Sequence, residues 1–165
     1  MYKFTALTTA DYYLLYNFLN ETHVIDFHTR KKINMEGIDD EYGLYLSAEI
    51  PKKCFIVHED EVPIGTAKHY RLDDFPNYQA EVDLENAIGI ELIIAREGYF
   101  HKGKAEAVIE AFISNQDLTG HVLFAACSLD NTPAIRAFEK AGFVNKKEIF
   151  NIDKRDMEYI LVKSQ

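Results

Sequence analysis

The stretch Gly89-Ile-Glu-Leu-Ile-Ile-Ala-Arg-Glu-Gly-Tyr-Phe-His-Lys-Gly-Lys-Ala-Glu-Ala-Val-Ile-Glu-Ala-Phe-Ile113 decides the fold. Its first six residues are almost wholly apolar and rich in isoleucine, which predicts a buried strand. A short loop with two glycines follows. From 102 to 114 apolar residues recur at helical spacing, with Ala105, Val108, Ile109, Phe112 and Ile113 on one stripe. A strand, a tight loop and a helix start place unpaired backbone amides at one point, which is a seat for a phosphate. Gly103 and Ala105 let a phosphate come close, and Lys102 and Lys104 offer positive charge beside it. His101 is a further candidate for phosphate contact, or an exposed loop histidine. Neither G-x-x-x-x-G-K-[ST] nor G-x-G-x-x-G occurs, which argues against a nucleotide P-loop and a dinucleotide fold.

Outward from this unit, the pattern predicts a strand over 3–7 and a helix from Thr9 to about Asn20. Residues 23–32 give no clear period. A helix over 39–49 stops at Pro51, and strands over 53–58 and 62–71 form a hairpin. Residues 72–79 read as a loop and 87–94 as the strand already described. A strand over 121–127 precedes a helix capped by Thr132, opened by Pro133 and ended by Gly142. Strands over 143–150 and 157–162 close the chain. Hairpins followed by strand–helix–strand–helix predict an α/β fold of mixed α+β character, with a partly parallel sheet centre. At 165 residues without a linker or repeat, the expectation is one domain spanning 1–165.

Composition bounds function. Hydrophobic residues make up 47 %, as in a folded globular chain, and the formal net charge is −9. Such acidity argues against nucleic acid as a partner and suits a cationic small molecule or simple solubility. No apolar run is long enough to span a membrane, and the N-terminus lacks the pattern of a secretory signal. Cys54 and Cys127 fall in strand-like runs, as reduced core residues of a cytoplasmic protein would. His23 and His28 are too loosely spaced for a metal site, and no metal is expected.

The segment Asn131-Thr-Pro-Ala-Ile-Arg-Ala-Phe-Glu-Lys-Ala-Gly-Phe143 carries a second signal. With the loop Phe100-His-Lys-Gly-Lys-Ala105 it resembles the GCN5-related N-acetyltransferase (GNAT) family, most closely its aminoglycoside 6'-N-acetyltransferase branch. The family loop is Gln/Arg-x-x-Gly-x-Gly/Ala. Gly103 and Ala105 match it, whereas Phe100 stands where Gln or Arg is usual. The second segment matches N-x-x-A-I-R-x-Y/F-E-K-x-G-F at every defined place. The opening strand and helix and the stretch 53–76 are also similar to this branch. The resemblance implies a GNAT-like central mixed sheet of six to seven strands flanked by helices, with acetyl-coenzyme A as cosubstrate and a small primary amine as acceptor. It implies a monomer or homodimer, and direct attack of the amine in a ternary complex.

The resemblance also nominates residues. Glu91 stands where the branch places an acidic group near the acceptor amine, as general base or as the orienter of a water. The residues alone equally allow a salt-bridged glutamate at a sheet edge. The backbone of Ile93 and Ile94 is expected to pair with the pantetheine arm, and Asn131, Ala134 and Phe138 to line the coenzyme cleft. Many relatives have Tyr at the position of Phe138, as acid to the leaving thiolate. Phe138 cannot donate, so turnover is expected to fall or another donor to serve. Phe100 is expected to weaken coenzyme binding. Asp73, Asp74 and Asp83, with Glu81 and Glu85 nearby, could hold ammonium groups of a polycation or be solvated loop charges. His69 could face the acceptor or pack. Other acceptors remain open, a siderophore hydroxylysine or a protein amino terminus among them, as does a module that holds coenzyme A without fast chemistry.

Overall fold

The computed structural model describes residues 1–100 and 103–164. Its strands are β1 (Tyr2–Ala6), β2 (Lys53–Glu59), β3 (Val62–Arg71), β4 (Ala87–Ile94), β5 (Val122–Ser128), β6 (Val144–Asn151) and β7 (Asp156–Lys163). The helices are α1 (Tyr12–Leu19), α2 (Thr22–Val24), α3 (Met35–Leu46), α4 (Pro76–Val82), α5 (Lys104–Asn115) and α6 (Thr132–Lys140). All seven strands join one sheet in the order β1-β2-β3-β4-β5-β7-β6. Neighbours run antiparallel except at β4 and β5, which are parallel. This is the mixed α/β, GNAT-like sheet expected from the sequence.

That parallel junction opens. β4 pairs with β5 only over Ala87–Gly89 against Val122–Phe124. Beyond Gly89, β4 stays bound to β3 as far as Ile94, and β5 stays bound to β7 as far as Ser128. The two strands therefore diverge in the middle of the sheet. Ala95 N–H donates to Ile64 C=O of β3, and the Ile93 carbonyl lies against Gly65. Main-chain groups alternate along a strand, so those of Leu92 and Ile94 turn toward the opening while those of Ile93 face β3.

Helices cover both faces. On one, α5 and α6 bury Val108, Ile109, Phe112 and Phe138 against Ile90, Leu123 and Leu161. On the other, α1 and α3 pack Leu15, Phe18, Ile38 and Tyr42 over Ile56, while α4 sits with Tyr70, Phe124 and Ile160. Side chains alternate across the pleat, so β3 sends His69 toward α5 and Lys68 toward α3. The Asn20 side chain accepts from Ile33 N–H and donates to Ile33 C=O, which anchors the α2 segment beneath α3.

Several boundaries differ from expectation. The helix read over 39–49 begins at Met35, because Asn34 caps it by accepting from Gly37 N–H at 2.8 Å. The loop read over 72–79 contains α4, whose Pro76 occupies the first turn. The patternless stretch 23–32 is α2 followed by a wide π turn over Ile25–Thr29, ended by Arg30 at φ 64°. Asn131, not Thr132, caps α6.

Candidate active site

The opening between β4 and β5 leads into two cavities that meet. The first, about 380 Å³, lies between β4, the loop before α5, and α6. Ile94, Phe100, Gly103, Lys104, Ala105, Asn131, Ala134 and Phe138 all line it. His101 and Lys102 lie outside the described residues. Ile93 lines the second cavity instead. Gly103 precedes α5 at φ 69°, a left-handed conformation that any side chain would strain. It has no side chain to cap the first amides of α5, and the first turn of that helix lines the cavity. Asn131, 4 % exposed, accepts from Ala134 N–H at 3.3 Å and holds the start of α6 against the same space.

Charge at this mouth is distributed differently from the sequence reading. Lys104 is bound by both carboxylate oxygens of Glu59, at 2.8 and 3.1 Å, and lies 5.5 Å from the Tyr99 ring. Arg136 and Lys140, one turn apart on α6, are the exposed cations lining the cavity. Sequence reading missed both, although their i, i+4 spacing within 131–143 was available. Phe100 stacks on the His23 ring at 4.2 Å, and His23 Nε2 lies 2.9 Å from Ile94 C=O. The aromatic substitution in the loop thus fastens it to α2 and to the end of β4.

The second cavity, about 500 Å³, lies on the α3 face, between α3, the π turn and the β6–β7 turn. Glu91, Lys52, Lys68, Tyr42 and Tyr45 form its inner wall. At its rim Arg30 pairs with Asp130 at 2.7 Å and Asp156 at 3.5 Å and bonds Asp26 C=O. Asp73, Asp74, Asp83 and His69 are not among the lining residues of either cavity. Asp73 pairs with Arg71 at 3.7 Å. His69 points to the α5 face, where it bonds Gln116 at 3.1 Å and stacks on Phe55.

Five residues line both cavities: His28, Leu92, Asn131, Ala134 and Phe138. Phe138 is buried and packs edge-on against Phe143 at 5.1 Å. His28, unassigned from the sequence, is the titratable group at this junction. Burial first, then Lys154 and His23, push its imidazole down from 6.5 to about 4. It is therefore neutral at pH 7. A histidine held neutral in the fold stabilises it fully above pH 6.5, and that contribution is lost as pH falls toward 4. Wild type should therefore lose more stability than His28→Gln across this window. Parallel melting-temperature profiles of the two proteins would count against the assignment.

Glu91 is the centre of the inner wall. Burial alone would raise its pKa, but Lys52, Lys68 and Lys154 outweigh that and hold the carboxyl well below the usual range. Lys52 Nζ bonds it at 2.8 Å. Burial also opposes the charge of Lys68, but Glu91 and the rings of Tyr42 and Tyr45 keep it protonated. Cys127 also faces this cavity, and burial pushes its thiol up to about 12. Among the described residues no group of three His, Cys, Asp or Glu could hold a metal, and no helix is long and apolar enough to cross a membrane.

A mixed sheet opened at one parallel junction, with a helix start and a capped second helix flanking the opening, defines a cofactor-dependent acyltransferase scaffold. Residues 8–150 match the family described as Acetyltransferase (GNAT) domain, so the chain belongs to the GNAT acetyltransferases and is an N-acetyltransferase that uses acetyl-coenzyme A. No curated protein matches the sequence. Among solved structures, aminoglycoside acetyltransferase AAC(6')-Ib in complex with coenzyme A is similar with TM-score 0.88 and 20 % identity, over 100 % of this chain and 95 % of that one. An aminoglycoside N(6')-acetyltransferase from Legionella pneumophila follows at TM-score 0.77 and 18 % identity, covering 98 % and 90 %. Spermidine N-acetyltransferase from Vibrio cholerae, in complex with CoA and spermine, has TM-score 0.72 and 16 % identity over 98 % and 94 %. At these identities the likeness is one of fold.

Proposed function

We propose that this protein carries acetyl-coenzyme A in the first cavity and transfers its acetyl group directly to a primary amine held in the second. The observation that carries this reading is the shared junction at His28, Leu92, Asn131, Ala134 and Phe138, where a thioester from one side meets an amine from the other. The diphosphate rests on the amides that begin α5, with Arg136 and Lys140 beside it. The exposed main chain of Leu92 and Ile94 pairs with the pantetheine arm, and an amide there stabilises the developing oxyanion.

Direct attack is favoured over a covalent enzyme intermediate. Burial raises the thiols of Cys127 to about 12 and Cys54 to about 11, so neither supplies a thiolate at neutral pH. The amine must lose a proton before it attacks. Glu91, kept ionised by Lys52, Lys68 and Lys154, orients the amine or a water that takes its proton. A thiolate is a far weaker base than an alkoxide or amide ion, so coenzyme A leaves without a strong acid, which suits Phe138 at the junction.

An acceptor with an ammonium group is suggested by the net charge of −9 and by the amine ligands of the structural relatives. The lining of the second cavity adds no support, because five cationic and five anionic side chains share it. The test is release of free coenzyme A thiol from acetyl-coenzyme A and a panel of primary amines. Turnover with at least one amine is expected. Coenzyme binding without turnover across the panel would favour the sensing module.

A further inference from the structure

We propose that the acceptor is an amine that also bears a carboxylate, and that Lys68, whose ammonium lies over the rings of Tyr42 and Tyr45, receives this carboxylate from the cavity side. The inference rests on the acetyl-transfer reading of the same cavity. Lys68 is 8 % exposed and lies on the inner wall of the second cavity. Its ammonium is 5.2 Å from the Tyr42 ring and 5.1 Å from the Tyr45 ring. Ring faces balance part of the charge and accept no conventional hydrogen bond. Among the described residues no carboxylate lies within ion-pair distance of Lys68. Glu91 stands opposite it in the β3–β4 register, but Lys52 engages that carboxylate at 2.8 Å.

The inner wall therefore sets two ammonium groups against one carboxylate. A buried cation with open donors stays in a fold when a partner completes it. The cavity as a whole holds five cations and five anions, but of these two lysines Lys52 is paired with Glu91 and Lys68 has no carboxylate partner, so its single open charge matches a monoanion. A dianion such as a phosphate ester would meet repulsion from Glu91 without a second free cation on this wall. A polycation gains nothing here. An amine with a carboxylate at one end is bound by that end, and its nitrogen is left to reach the junction near His28.

The experiment compares kcat/KM for amine pairs that differ only by the carboxylate: β-alanine and ethylamine, 6-aminohexanoate and pentylamine, L-lysine and cadaverine. In wild type the carboxylated member should be preferred by about ten- to a hundredfold, the range for a hydrogen bond to a charged group. Lys68→Met should abolish the preference, and Lys68→Arg should restore part of it, with coenzyme A affinity unchanged in both. Equal or reversed preference in wild type, or a preference that survives in Lys68→Met, overturns the inference. If spermidine or kanamycin releases thiol and the carboxylated amines do not, the inference falls and the transferase reading stands. If no amine releases thiol, the transferase reading fails on its own. Binding then decides the inference by calorimetry on coenzyme-saturated protein. Nε-acetyl-lysine must bind more tightly than N-acetylcadaverine, and equal or absent binding overturns it.

Discussion

Glu91→Gln is expected to lower kcat/KM by about 10²–10⁴-fold while coenzyme A affinity stays unchanged. Glu91 lines the second cavity, where the proposed reaction puts the acceptor, and does not line the first. The variant keeps the shape of the side chain and removes the negative charge that orients the attacking amine or its water. Lys52 then loses its ion-pair partner, and buried Lys68 loses the nearby negative charge across the β3–β4 register. Breaking a buried pair by removing one partner costs about 3–5 kcal/mol; the Glu91 side chain is 28 % exposed, so solvent reduces that figure. The rate effect is separated from the stability effect by assaying well below the variant's melting temperature. Because wild-type Glu91 is ionised throughout the working pH range, it should add no acidic limb to the kcat/KM profile. That profile should instead rise with deprotonation of the acceptor. Full kcat/KM in Glu91→Gln would remove the residue from the mechanism.

Gly65→Ala is the second large effect, and it acts on stability. A Cβ at this position would stand 1.9 Å from the Ile93 carbonyl oxygen and 3.1 Å from Ile94 Cα. These are backbone atoms of the strand that lines the opening, and they cannot rotate aside as a side chain could. Either β3 and β4 separate or the Gly65 backbone twists, and in both cases the β3–β4 ladder weakens. Overpacking costs typically about 1–3 kcal/mol, and contact with backbone puts this substitution at the upper end. Urea or guanidinium unfolding should show the loss as a lower midpoint with an unchanged slope. Gly98→Ala is the control, since a Cβ there meets nothing within 4 Å. A loss at Gly65 no greater than at Gly98 would show that the strands yield easily.

Much of the fold was legible in local signals. The stripe of α5, the Pro133 and Gly142 boundaries of α6, and the β2–β3 hairpin are written within a few residues of where they act. Helix α4 was missed because Asp73, Asp74 and Pro76 read as turn chemistry, while Val82 becomes apolar evidence only once Tyr70 and Phe124 pack beside it. The site was legible where it uses backbone. Gly103 and Asn131 are set by local conformation, and both line the first cavity. It was not legible where charge decides. The neutrality of His28 depends first on burial and then on Lys154, far away in the chain. Lys68 looked like any lysine in a hairpin; the register that sets it across from Glu91, and the helix that brings Tyr42 and Tyr45 over it, are tertiary facts.

The stack of Phe100 on His23 has an effect on how salt acts at this site. An arginine or glutamine in that place would lean on polar attraction, whereas two rings in face contact hold by dispersion and exclusion of water. Added electrolyte cuts the reach of attraction between exposed charges to roughly 10 Å at 0.1 M and less at higher salt, and leaves apolar contact almost untouched. Brine should therefore loosen the hold of Arg136 and Lys140 on a bound anion while the footing beneath the loop stays firm.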